Sequence, residues 1–127
     1  MNSRPTQVYI VEDSPSIRAR LHEMLERIED VRIVGEADAA PQAVVDILAL
    51  RPDSVLLDLK LKGSTGMQVL QAIHRQMPEV AFVVLTNQSE PQYRSACQRA
   101  GASYFLDKST EFDRVPQVIA QIAALHH

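Results

Sequence analysis

The chain has 127 residues, the size of one compact domain with one core. Its 46% apolar and 23% charged content excludes a disordered chain, and 13 Lys and Arg scattered against 16 Asp and Glu leave no basic footprint for nucleic acid. One cysteine, Cys97, excludes an intramolecular disulfide, and no stretch approaches the roughly 20 apolar residues of a membrane span.

In chain order, Met1 to Gln7 is polar and has no signal-peptide core, so a cytoplasmic location is expected. Short apolar runs then alternate with helical patterns five times. The runs are Val8–Val11, Val31–Gly35, Val55–Leu57, Ala81–Leu85 and Tyr104–Leu106. Most are apolar throughout, as in parallel strands covered on both faces; the second carries Arg32 and suits a sheet edge. Between them, apolar residues recur at helical spacing. The stripes are Ile17-Leu21-Met24-Leu25-Ile28, then Val44-Ile47-Leu48, then Val69-Leu70-Ile73-Met77. Tyr93-Ala96-Cys97-Ala100 and Val115-Val118-Ile119-Ile122-Leu125 complete the set, and the chain closes on His126-His127, a native end or a tag remnant.

Boundary residues agree with this division. Ser14-Pro15 can cap and open the first helix, Pro41 and Pro91 suit first turns, and Gly101 suits a left-handed C-cap. Regular βα alternation with right-handed crossovers predicts an α/β fold with a doubly wound parallel sheet. For five strands the general order is 2-1-3-4-5, the flavodoxin-like arrangement.

Ligands of such sheets bind beyond the carboxyl ends of the strands, where the order reverses. The first strand runs out into Glu12-Asp13 and the third into Asp58, so three carboxylates converge on one crevice. Two carboxylates about 4 Å apart repel by roughly 4 kcal/mol at an effective dielectric of 20. Such a cluster calls for a cation or for protons, and a few hard oxygen ligands favour Mg²⁺. Taken singly, each acid reads as a solvated strand end or a helix cap; Asp13 could cap the helix after it. The fourth strand ends at Thr86, a hydroxyl donor, and the fifth is followed by Lys108, a mobile point charge for phosphate.

These segments resemble the receiver domain of bacterial two-component response regulators. Val11-Glu12-Asp13-Ser14-Pro15 resembles its acidic pair, and Leu56-Leu57-Asp58-Leu59 its phosphoacceptor strand, with Gly66 eight residues beyond Asp58. Leu85-Thr86 matches the switch hydroxyl, and Gly101 to Lys108 the segment with the switch aromatic, Phe105, and the lysine. The resemblance implies that Asp58 takes a phosphoryl group, that Asp13 and Asp58 ligate Mg²⁺ directly, Glu12 through water, and Lys60 through its carbonyl. It implies that Lys108 pairs with Asp58 or its phosphoryl group, that Thr86 moves toward that group, and that Phe105 turns inward. Lys60 and Gln88, two residues beyond Asp58 and Thr86, are read as shields against attacking water.

The implied partners are a sensor histidine kinase or phosphotransfer protein and an unidentified protein target, met through the fourth helix, fifth strand and fifth helix. One receiver domain over 1–127 is expected, ordered over about 7–125, with no output domain and no catalysis beyond its own phosphorylation and dephosphorylation. Lys62, Tyr104 and Ser109 depart from common family residues; with Ser109 in place of proline, a trans Lys108-Ser109 bond is expected. Cys97 reads as a small buried hydrophobe, and His22 and His74 as solvated helix histidines without neighbouring ligands. A flavin domain would need a Ser/Thr/Gly-rich loop in place of Glu12-Asp13, and a haloacid-dehalogenase phosphatase an acid in place of Lys60. No P-loop motif is present. The alternative of weight is a receiver-like binding module that signals without phosphate.

Overall fold

A computed structural model describes residues 4–126. Met1 to Ser3, part of the polar opening segment, and His127 lie outside the described residues, and the side chain of His126 is likewise not described. Five parallel strands, β1 (Thr6–Val11), β2 (Val31–Ala37), β3 (Ser54–Leu57), β4 (Ala81–Thr86) and β5 (Tyr104–Asp107), form one sheet in the order β2-β1-β3-β4-β5. They alternate with α1 (Pro15–Glu26), α2 (Ala40–Leu50), α3 (Gly66–Gln76), α4 (Pro91–Ala100) and α5 (Val115–His126). A small antiparallel hairpin, Lys60–Leu61 with Ser64–Thr65, lies between β3 and α3.

Strand side chains alternate between faces, so each strand feeds two cores. Tyr9, Val11, Val55, Leu57, Phe82 and Val84 face α2, α3 and α4. Val8, Ile10, Leu56, Val83, Leu85 and Leu106 face α1 and α5. Both edges of the sheet are as expected, β2 outside β1 as its Arg32 suggests and β5 outside β4 as in the general order for such sheets.

Four details differ from the sequence reading. β2 runs on past Gly35 to Ala37, because the β1–β2 register shifts between Val8 and Tyr9 and sets Gly35 beside the Tyr9 ring. A Cβ on Gly35 would come within 2.9 Å of that ring, so the glycine continues the strand instead of breaking it. The apolar stripe of α4 is shallow: only Cys97 is fully buried, and Tyr93 is exposed. Leu125 is 83% exposed at the end of α5, and Ile28 lies beyond the end of α1.

The histidines also differ from expectation. His22 Nε2 lies 2.6 Å from Glu36, with Glu26 at 3.7 Å from its other nitrogen, so it sits among carboxylates. His74 packs its ring against Gly101, and its Nδ1 is buried without a hydrogen-bond partner. Cys97 is a buried hydrophobe as expected, and burial pushes its thiol pKa up.

Candidate functional site

The acidic pair is held by the start of α1. Ser14 occupies the N-cap position and accepts from the Ile17 N–H, with Pro15 opening the helix, so Asp13 is left uncommitted to capping. Glu12 continues the sheet through its N–H to the Ala37 carbonyl at 3.0 Å, and its Oε2 accepts from the Ser14 N–H at 3.0 Å. Arg18 donates to the Glu12 carbonyl at 2.7 Å and pairs with Glu36 at 2.9 Å, bracing the loop from behind.

Asp58 extends β3 by one residue, its N–H donating to the Val11 carbonyl at 3.0 Å. The chain then turns through the hairpin and returns at Gly66, whose N–H bonds to the Leu59 carbonyl at 2.8 Å. A Cβ on Gly66 would collide with the Asp58 carbonyl, which accounts for glycine eight residues beyond the acid.

Glu12 and Asp58 are buried and Asp13 is exposed, yet one oxygen from each lies within 4.8 Å of the others. Lys108 closes the group: its Nζ donates to Asp58 at 2.5 Å and to Glu12 at 2.7 Å, and its side chain is only 10% exposed. Burial pushes the Glu12 pKa up, beyond what its hydrogen bond to Lys108 takes back. Burial would lower the Lys108 pKa, but the bonds to Asp58 and Glu12 together outweigh it and raise it, so the ammonium stays charged.

The opposite wall comes from β4 and its loop. Thr86 is fully buried, its Oγ accepts from the Gln88 N–H at 3.2 Å, and its carbonyl accepts from the Lys108 N–H at 2.8 Å. Asn87 and Gln88 line the crevice opposite Asp13, Ser14 and Lys60, enclosing about 350 Å³. Lys60 points to solvent, and its N–H donates weakly to Asp58 at 3.3 Å. The structure thus brings Glu12, Asp13, Asp58, Lys60, Thr86, Gln88 and Lys108 to one crevice. Phe105 lies outside it, in the core between β5 and α4, 7% exposed.

The loop after Lys108 explains Ser109. Its N–H and its hydroxyl both bond to Asp107, at 2.8 and 2.6 Å, and a proline could offer neither. The hydroxyl first, with a bond from Ser89 and then the Ser109 amide, holds the Asp107 pKa down at about 2. The Lys108-Ser109 peptide is trans, since no described peptide bond is cis. Sequence reasoning missed Arg18 and Arg94, because arginines carry no periodic signal and here bond to backbone carbonyls outside their own helices.

A family model, the response regulator receiver domain, matches residues 8–120. The chain belongs to the response regulator receiver domain family. It is 30% identical over 118 residues to the response regulator GacA of Pseudomonas aeruginosa, covering 93% of this chain and 55% of that protein. It is 30% identical over 115 residues to the response regulator UvrY of Escherichia coli, covering 91% and 53%. Among solved structures, the signal receiver domain of the response regulator NarL from Mycobacterium tuberculosis superposes with a TM-score of 0.87 at 26% identity, covering 96% of this chain and 98% of that one. This receiver chain spans about half the length of the curated relatives it matches. No described helix is long and apolar enough to cross a membrane.

Proposed function

We propose that this receiver domain takes a phosphoryl group on Asp58 from a sensor histidine kinase or phosphotransfer protein and signals through protein contacts. The observation that carries the reading is Lys108 bridging Asp58 and Glu12 within a trio of carboxylates set around an open crevice. Two buried acids beside a third are costly unless compensated, and one ammonium compensates only part of their charge. The remaining charge faces the crevice through Asp13.

The donor set fits a hard divalent cation: all the available ligands are oxygens, and Asp13 stands open to solvent. Asp13 and Asp58 would hold Mg²⁺ directly, Glu12 through water, with the Lys60 carbonyl as a further ligand. When bound, the ion supplies neutralising charge for phosphoryl oxygens.

The chain's own residues do the rest. An Asp58 carboxylate oxygen forms a bond to the donor's phosphorus as the bond to the leaving group breaks, its electron pair departing with the donor. Lys108, now held by Asp58, is within reach of a phosphoryl oxygen on it and keeps its positive charge there. Thr86 offers its hydroxyl proton to another phosphoryl oxygen, since its present hydrogen bond from Gln88 uses only an acceptor site. Lys60 and Gln88 flank the opening and obstruct water. The chain acts on no second substrate in this reading, and its location is cytoplasmic. The output surface is α4, β5 and α5, a protein target being favoured over nucleic acid by the net charge of −3.

Incubation with a small acyl phosphate and Mg²⁺ tests the reading. The protein gains one phosphoryl mass, labile to base and dependent on the metal. No gain under conditions that label another receiver domain contradicts it, and favours a module that signals without phosphate.

A further inference from the structure

The α4 helix has few buried anchors. Of Pro91–Ala100, Cys97 alone is fully buried. Arg94 supplies a second attachment, made to a single residue of β5. Its guanidinium carbon lies 4.7 Å from the centre of the Phe105 ring, and its Nη1 donates to the Phe105 carbonyl at 3.3 Å. Phe105 is itself fixed in the core, 7% exposed, so the contact ties a loosely packed helix to a firmly packed strand. Arginine suits this double task, because a planar guanidinium stacks on a ring while donating from its edge.

The first turn of α4 leads directly to the crevice. The Arg94 N–H bonds to the carbonyl of Glu90, the N-cap residue, and only the segment 87–90 separates α4 from β4. Two residues of that segment, Asn87 and Gln88, form the crevice wall. The Gln88 N–H is tied to the Thr86 hydroxyl. Gln88 lies two residues before the N-cap, so it is the crevice side chain placed to follow a shift of the helix.

We infer that Arg94 is a positioning residue that seats α4 on β5 and thereby sets Asn87 and Gln88 at the mouth of the Asp58 crevice. Its effect on phosphoryl lifetime rests on the function proposed above; its effect on the seat does not.

Amide hydrogen exchange of the unphosphorylated protein, read residue by residue, tests the seat. In Arg94→Ala the α4 amides exchange about tenfold faster, the Gln88 amide follows them, and α3 stays within about twofold of the parent. Arg94→Lys recovers only part of the protection, because an ammonium cannot stack and donate in the same geometry. Phe105→Leu, which keeps the carbonyl but removes the ring, falls between. Unchanged α4 exchange in Arg94→Ala overturns the inference, and so does equal acceleration of α3 and α4, which marks general loosening. Faster α4 with an unchanged Gln88 amide overturns the link to the crevice. In a second arm, the acyl phosphate of Arg94→Ala decays at least about twofold faster than that of the parent, as expected where a shielding side chain is displaced. An unchanged decay overturns the effect on lifetime, while absence of label in both proteins counts against phosphoacceptor function and leaves the exchange result standing.

Discussion

The crevice has two walls, and the helices behind them are anchored differently. Behind the Asp58 wall, α3 buries Val69, Leu70 and Ile73, with Met77 beyond its last turn. It opens with a capping box in which Thr65 and Gln68 satisfy each other's backbone N–H groups. Behind the Thr86 wall, α4 buries Cys97 alone and has no side-chain cap. Its N-cap residue, Glu90, makes no such bond. The Asp58 carboxylate therefore stands on a fixed support, while the Thr86 hydroxyl and Gln88 stand beside a support that shifts at small cost. Local stability differs within one domain in this way when buried contacts differ, and elements that move are drawn from the weaker end.

The largest expected effect comes from removing the cation that spans the fixed wall and the acidic loop. Lys108→Ala leaves Glu12 and Asp58 buried without their shared partner and destabilises the protein by about 3–5 kcal/mol at neutral pH without divalent metal. The sign with pH follows from Glu12. Its folded pKa is raised, so its favourable contribution is present below the ordinary carboxylate value and is lost as pH rises through the folded one. Urea unfolding of Lys108→Ala thus shows stability falling more steeply than the parent as pH rises from the ordinary carboxylate range toward neutrality. Added Mg²⁺ restores part of the loss. A shallow profile shared with the parent breaks the picture of a buried, compensated cluster.

A smaller effect is expected from crowding the fixed wall. Gly66→Ala puts a methyl against the Asp58 carbonyl, and overpacking of this kind costs about 1–3 kcal/mol. The shift in urea midpoint measures it. A fixed support should not yield, so Gly66→Ala should also disturb Mg²⁺ affinity; a neutral substitution would show that the Asp58 wall gives way as readily as the other.

These contrasts were legible in the sequence to different depths. Strands read well because four of them are apolar on both faces, and the ends of β1, β3, β4 and β5 name the charged and hydroxyl groups at the heart of the crevice: Glu12, Asp13, Asp58, Thr86 and Lys108. Helix depth read poorly. Tyr93, Ala96 and Ala100 have the spacing of a buried stripe, yet spacing shows which face turns inward and not how far it sinks. Leu125 fails for the same reason, lying one turn beyond the part of α5 that the sheet covers. Gly35 read as a strand end, because the Tyr9 ring that requires it comes from another strand. The braces, Arg18 on the Glu12 carbonyl and Arg94 on the Phe105 carbonyl, pair a helix side chain with backbone outside its helix, which helical periodicity does not mark.

Two finer effects sharpen the comparison. Shortening Lys60 and Gln88 to Ala, one on each wall, quickens loss of the phosphoryl group several-fold. The double variant should show the sum of the two effects in free energy, since they screen the opening from opposite sides. Decay of base-labile label over time measures this, and slower decay would count against shielding. The smallest effect is at Asp107. Ser109→Ala removes the hydroxyl that contributes most to its low pKa, which should rise from about 2 toward the ordinary 3.8. The stability that Asp107 lends is present above its unfolded value and lost as pH falls through the folded one, so the variant loses it at higher pH. Carboxyl carbon NMR against pH reads the shift, and an unmoved titration would show that Ser109 does not hold this loop.

The residue that carries the phosphoryl group is the decisive observation. Parent and Asp58→Asn are incubated with a small acyl phosphate and Mg²⁺, reduced with borohydride to mark any acyl phosphate, and read by peptide mass spectrometry. One reduced aspartate is expected in the parent, at position 58, and none in Asp58→Asn. A mark on Glu12 or Asp13 in the parent, or label retained by Asp58→Asn, would contradict Asp58 as the acceptor.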